Sequence, residues 1–128
     1  MIDLFSSDTP NGKKISIMLE EIGFEYAVKK MDLSKGDQFK EDFKEISPFS
    51  KIPAIIDHSN NKESVFESGA ILIYLAEKSG KFYEKENKLK IDQWLMAQMG
   101  SIGPFICQYH YFYKFNKGLS EVGEKRYF

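Results

Sequence analysis

The sequence predicts an α/β domain over residues 1–80, a mixed four-stranded sheet with three helices, followed by a partial all-α segment. Three observations carry that prediction. Apolar segments alternate with helix-period segments in the order strand, helix, strand, helix, strand, strand, helix. Turn chemistry separates them, at Thr9-Pro10, Gly23, Ser47-Pro48, Asn60-Asn61 and Gly80. The chain also has the means to build a core, with 128 residues of which 42% are hydrophobic and 15% aromatic.

The elements follow in order. Ile2 to Ser6 is a short apolar run ending in polar turn residues, as a first strand does. Thr9 then stands as an N-cap with Pro10 at the first helical position, and Ile15, Met18, Leu19 and Ile22 recur every three or four residues until Gly23. Residues 24–31 alternate in part and read as a second strand. Phe39, Phe43 and Ile46 form the stripe of a short charged helix that stops before Ser47-Pro48. Ile52 to Asp57 is a strand with Pro53 at its start, where a missing donor does least damage. A turn at Ser59-Asn60-Asn61-Lys62 leads to a strand around Val65 and Phe66, and Glu67-Ser68-Gly69 opens a helix whose Ile71, Leu72 and Leu75 face inward.

Residues 81–86 are charged and serve as a linker, leaving 87–128 as a second, helical domain. There Ile91, Trp94, Leu95, Gln98, Met99 and Ile102 share one face, Gly103-Pro104 is expected to kink or break the helix, and 119–128 begins another.

Composition removes several functions. With 18 Lys+Arg against 19 Asp+Glu there is no basic field for nucleic acid. No apolar run reaches the roughly 18 to 20 residues that span a bilayer, and the N-terminus lacks a basic n-region, so the expectation is a soluble cytoplasmic protein with no membrane partner. The single Cys107 rules out an internal disulfide, a CxxC pair and a cysteine-rich zinc cage; surrounded by Phe105, Ile106 and Tyr109 it reads as a buried thiol. His58 and His110 have no partner at ligand spacing, so no metal is expected. The aromatic run from Tyr109 to Phe115 reads as helix packing.

Chemistry in such a domain favours the edge where strands end and helices begin. Three segments deliver groups there. Thr9, Asn11 and the free N–H groups of the first helix can stabilise a thiolate or oxyanion, or can simply cap the helix. Lys51-Ile52-Pro53 is a candidate cis peptide offering the Ile52 N–H and C=O to an extended peptide, while the bland alternative is a trans bond beside a solvated lysine. Glu67 and Ser68 suit an α-amino acid head, carboxylate on the helix N-terminus and amine on Glu67; equally, Ser68 can be a plain N-cap.

Together these segments resemble the glutathione transferases. Ser47-Pro48-Phe49-Ser50-Lys51-Ile52-Pro53-Ala54-Ile55 is similar to that family's S/N-P-x-x-K-I/V-P-x-L signature, and Phe66-Glu67-Ser68-Gly69-Ala70-Ile71 to its E-S-x-A-I signature, in the right order. Thr9-Pro10-Asn11-Gly12, the stretch Leu33 to Phe39 and the stretch Trp94 to Gly100 resemble the Nu class of bacterial disulfide-bond oxidoreductases. The resemblance implies a thioredoxin-like domain that binds glutathione as co-substrate. By it, Pro53 is cis, Ile52 pairs main chain to main chain with the cysteinyl unit, and Glu67 and Ser68 hold the γ-glutamyl head. Gln38 and Lys51 contact the rest of the peptide, Thr9 and Asn11 attend the sulfur, and Arg126 reaches the ligand.

The implied activity is glutathione-dependent reduction of a small disulfide, with conjugation to an electrophile as the other use of the same thiolate. Asp8 would oppose that thiolate if it pointed inward. A homodimer is the implied assembly. The implied family size, two ordinary domains of about 200 residues in all, leaves the helical domain here truncated. The alternative is therefore a catalytically silent module that binds glutathione or a protein partner without turnover.

Overall fold

The structure is a computed structural model in which residues 1–127 are described. It divides into two compact units, Met1–Glu84 and Lys85–Phe128.

In the first unit four strands, β1 (Ile2–Ser6), β2 (Tyr26–Lys30), β3 (Ala54–Asp57) and β4 (Glu63–Phe66), form one sheet in the order β2-β1-β3-β4. β1 runs parallel to β2, with Ile2 opposite Tyr26, and antiparallel to β3, with Leu4 opposite Ile55. β3 and β4 are an antiparallel hairpin that pairs Ile55 with Val65. The sheet is mixed because β1 and β2 are joined through a helix, the usual crossover that brings two strands side by side in parallel.

That helix, α1 (Pro10–Ile22), starts and stops on the residues the sequence marks. Thr9 Oγ1 accepts from the Gly12 N–H at 3.1 Å, and Gly23, at φ 75°, donates its N–H to the carbonyls of Leu19 and Glu20. α3 (Ser68–Ser79) ends the same way on Gly80 at φ 69°. α1 and α3 cover one face of the sheet, where Leu4, Ile15, Leu19, Ile55, Ile71 and Leu75 are all under 2% exposed. Fully burying one such side chain is worth roughly 1.5–3 kcal/mol, so this layer holds the unit together.

The other face carries less. α2 (Glu41–Ile46) buries Phe43 against Met31 and Ala54, with the Phe5 ring 5.8 Å away. Phe39 does not join that helix. It lies in a separate single turn, Asp37–Phe39, and is exposed, because Lys40 takes an extended backbone (φ −65°, ψ 142°) and breaks the period between them. The second strand is likewise shorter than 24–31, since Gly23 and Phe24 complete the end of α1.

Gly12 sits where α1 leaves the end of β1. A Cβ there would lie 2.7 Å from the Ser7 carbonyl oxygen and would overlap Ser6 Oγ. Gly12→Ala is therefore expected to lower stability by about 1–3 kcal/mol by urea unfolding, although alanine is the better helix former by about 1 kcal/mol. A loss below about 0.5 kcal/mol would mean that the β1–α1 turn yields freely.

At the opposite end of the sheet, Asp57 is fully buried with its carboxylate saturated. Tyr74 Oη donates to Oδ2 at 2.7 Å, Lys78 Nζ lies 2.6 Å from Oδ2, and Ser59 donates to Oδ1 through both its N–H (2.9 Å) and its hydroxyl (2.7 Å). These bonds tie α3 to the β3–β4 turn.

In the second unit α4 (Lys88–Ala97) and α5 (Gly103–Tyr109) are joined by a wide π-type turn at Gln98–Ile102, and a second such turn, His110–Phe115, follows α5. Of the kink or break expected at Gly103-Pro104, the break does not occur. Gln98 and Gly103 keep helical angles, and the Gly103 N–H reaches back five residues to the Gln98 carbonyl, so the widened turn takes in Pro104 without leaving the helix. Gly103 suits that turn, since a Cβ there would meet Gln98 at 2.9 Å. Of the face drawn from the sequence, Ile91, Leu95, Gln98 and Met99 are half-buried, whereas Trp94 and Ile102 are exposed.

α6 (Glu121–Tyr127) packs through Gly123 on the Phe112 ring, which stacks on Tyr127 at 5.7 Å; Tyr127 also meets Phe105 edge-on at 5.5 Å. Phe128 lies outside the described residues. Cys107 is exposed, not buried. It stands two residues from Phe105, roughly 200° round the helix from the face that meets α6. No helix among the described residues is long and apolar enough to cross a membrane.

Candidate functional site

The Ser47–Pro53 segment ends in a cis Ile52-Pro53 peptide. Ser47, fully buried, knits the turn before it: its hydroxyl donates to the Lys51 carbonyl at 2.7 Å and accepts from the Lys51 N–H at 3.3 Å, while its own carbonyl accepts from the Ser50 N–H at 2.8 Å. The N–H and C=O of Ile52 make no hydrogen bond among the described residues, which leaves both for a ligand backbone.

Across from this turn lies the start of α3. Glu67 occupies its N-cap position at φ 71°, ψ 118°, a left-handed backbone that a non-glycine residue adopts at a cost of about 1–3 kcal/mol. Its side chain makes no capping bond, and Ser68 is the first helical residue, not the cap. The capping alternative for Ser68 therefore falls away. Ser68 is itself buried, and the first turn of α3 begins without the carboxylate that would ordinarily cap it.

The third component is the start of α1. Lys14 Nζ donates to Asn11 Oδ1 at 2.8 Å. Asn11, Ser47, Lys51, Ile52, Pro53, Glu67 and Ser68 line a cleft of 140 Å³. Six of the residues marked from sequence, Asn11, Lys51, Ile52, Pro53, Glu67 and Ser68, thus meet in one place, drawn from three separate stretches of chain.

Three others do not line it. Thr9 caps α1, and its Oγ1 is engaged by the Gly12 N–H. Gln38 lies in the loop after β2, where Nε2 donates to the Leu33 carbonyl at 3.4 Å and Oε1 is buried without a partner. Arg126 belongs to the second unit, its guanidinium 5.7 Å from the Tyr127 ring centre. Sequence reasoning passed over two residues. Ser47 was legible as the polar residue four before Lys51, the spacing of a side-chain-closed turn. Lys14 was legible at three residues from Asn11 on one helix face.

Asp8 is turned away from the cleft. Its side chain is 85% exposed and paired with Lys13 at 2.9 Å, and the lysine's hydrogen bond and charge hold its carboxyl below the usual range. It lines a different groove with Lys13 and Lys30. The cleft thus offers unpaired backbone and amide donors, one lysine and one glutamate, a set matched to a small peptide carrying both carboxylate and ammonium groups.

Comparison with known proteins agrees with that chemistry. The family model described as "Glutathione S-transferase, N-terminal domain" matches residues 2–77. The chain is 50% identical over 118 residues to the disulfide-bond oxidoreductase YfcG of Escherichia coli (strain K12), covering 88% of this chain and 55% of that protein. Among solved structures, a glutathione transferase family member from Pseudomonas fluorescens pf-5 with two glutathione bound superposes with a TM-score of 0.90 at 46% identity, over 98% of this chain and 59% of that one. A glutathione transferase from Pseudomonas putida with glutathione disulfide bound superposes at 0.88 and 41% identity, over 98% and 58%. The chain spans about half the length of the curated relatives it matches. The sheet and the cleft fall within the matched residues, and the chain belongs to the glutathione S-transferase family, of the bacterial Nu-like type.

Proposed function

We propose that this chain is the glutathione-binding part of a glutathione-dependent disulfide-bond reductase. The observation that carries the reading is the convergence of Asn11, Ile52 and Ser68 on one cleft, with the Ile52 backbone unpaired. Supporting it, the chain is 50% identical to a protein named a disulfide-bond oxidoreductase. A lone cysteine fits as well, because the reacting sulfur comes with the co-substrate.

In this reading residues 1–80 bind glutathione, 81–86 link, and 87–128 supply helices toward a second substrate. Ile52 pairs with the cysteinyl backbone, while Glu67 and the first turn of α3 with Ser68 take the ammonium and carboxylate of the γ-glutamyl head. Lys51 and Gln38 contact the rest of the peptide. Thr9 Oγ1 accepts from Gly12, which leaves its hydroxyl hydrogen to donate, and the Asn11 amide donates beside it.

Both bonds, with the positive end of α1, favour thiolate over thiol, which in free glutathione is mostly protonated at neutral pH. The thiolate attacks one sulfur of a substrate disulfide, forming a mixed disulfide and expelling the other sulfur as a thiolate that takes up a proton. A second glutathione thiolate then releases the substrate thiol and leaves glutathione disulfide. The working form is a cytoplasmic homodimer, checked by sedimentation.

The test is to measure glutathione binding by calorimetry and, separately, glutathione-coupled reduction of a small disulfide. Binding with turnover supports the reading. Binding without turnover makes this chain the silent glutathione-binding module instead, and no binding removes the glutathione reading and leaves only a module that binds a protein partner.

A further inference from the structure

Lys14 lies outside the residues lining the cleft, yet its ammonium reaches Asn11 Oδ1 at 2.8 Å from the next turn of α1. An ammonium can only donate, so this bond decides which end of the Asn11 amide is which. The oxygen is committed to Lys14. The nitrogen is the remaining end, and Asn11 Nδ2 has no hydrogen-bond partner among the described residues. Without Lys14 the amide could turn its oxygen toward the cleft and present a lone pair to an anion, the wrong sign for a thiolate.

The charge adds a second effect. A cation on the carbonyl end of an amide withdraws electron density and makes the N–H groups at the other end stronger donors, and the bond is strong because one partner is ionised. Asp8, the acid nearest the start of α1 in sequence, is paired with Lys13.

We infer that Lys14 is a positioning residue for thiolate formation: its bond to Asn11 Oδ1 holds the amide with its N–H groups toward the glutathione sulfur and strengthens them. The inference rests on the reading of the cleft as a glutathione site. It assigns Lys14 no contact with the ligand. The charged groups that line the cleft are Glu67 and Lys51.

The test is a pH titration of the bound glutathione thiolate by its ultraviolet absorbance, in the wild type, Lys14→Met, Lys14→Arg and Asn11→Ala, with affinity by calorimetry and folding by thermal unfolding. Lys14→Met is expected to cut the thiolate fraction at pH 6.5 by about three- to tenfold while leaving affinity within about twofold. Lys14→Arg, which keeps the donor and the charge, restores most of it, and Lys14→Met adds nothing further on top of Asn11→Ala. A merely structural lysine would lower melting temperature and affinity without moving the thiolate titration.

If Asn11→Ala suppresses the thiolate and a folded Lys14→Met does not, the inference about Lys14 is overturned and the glutathione reading stands. If wild-type bound glutathione titrates like free glutathione, the thiolate-stabilising reading fails first and the inference with it.

Discussion

Replacing Asp57 with alanine is expected to destabilise the first unit by about 3 kcal/mol. The carboxylate is fully buried and receives bonds from Tyr74, Lys78 and Ser59. Truncation strands all three donors, although Lys78, whose side chain is 30% exposed, can turn to water and recover part of the loss. Asp57→Asn keeps an acceptor and should cost less, about 1–2 kcal/mol. Urea unfolding of the variants measures both, and a cost below about 0.5 kcal/mol for alanine would show the network to be dispensable.

The same network sets a pH dependence. Burial pushes the Asp57 carboxyl up, but the bonds from Lys78, Tyr74 and Ser59 outweigh it and hold the group well below the usual carboxylate range. A depressed folded value means that the unfolded chain binds the proton first. The linked stability is therefore complete above the ordinary aspartate value of about 3.9 and is lost as pH falls below it, at up to about 1.4 kcal/mol per pH unit. Asp8, Asp32 and Asp37 are also held low, each by exposed partners, and contribute in both proteins. The informative quantity is the difference: between pH 5 and pH 2.5 the wild type should lose stability faster than Asp57→Asn. Parallel pH profiles would mean that the charge of Asp57 is not linked to folding.

Local signals made the first unit legible. Thr9, Pro10, Gly23 and Gly80 mark helix ends through chemistry that acts over one turn, and the period of Ile15, Met18, Leu19 and Ile22 survives because a single buried face selects it. The six residues of the cleft were legible because each stands at a strand end or helix start, the places that sheet topology brings to one edge. What stayed hidden depended on backbone choices that composition does not encode. The left-handed Glu67, which displaces Ser68 from the cap, gives no sequence signal, since glutamate ordinarily avoids that region. Gly103-Pro104 reads as a kink or a break, and the helix continues through a widened turn that the preceding glycine accommodates. Cys107 was assigned by its apolar neighbours in sequence, whereas its helical phase decides its exposure.

The largest functional effect is expected at Asn11. Its amide favours the thiolate that attacks the disulfide, so Asn11→Ala should lower the rate of exchange near neutral pH by about tenfold through a smaller thiolate fraction, with a smaller loss of glutathione affinity. Ser68 carries the opposite expectation. Its place, buried in the first turn of α3 and lining the cleft, suits the γ-glutamyl carboxylate, which keeps its charge throughout the reaction. A bond of that kind is equally strong in ground state and transition state, so Ser68→Ala should weaken binding by about tenfold and leave the rate at saturating glutathione nearly unchanged. The pair of variants, assayed for both quantities, separates the roles. If both lower rate and affinity in the same proportion, neither assignment holds, and the cleft would act as a single binding surface with no residue devoted to the thiolate.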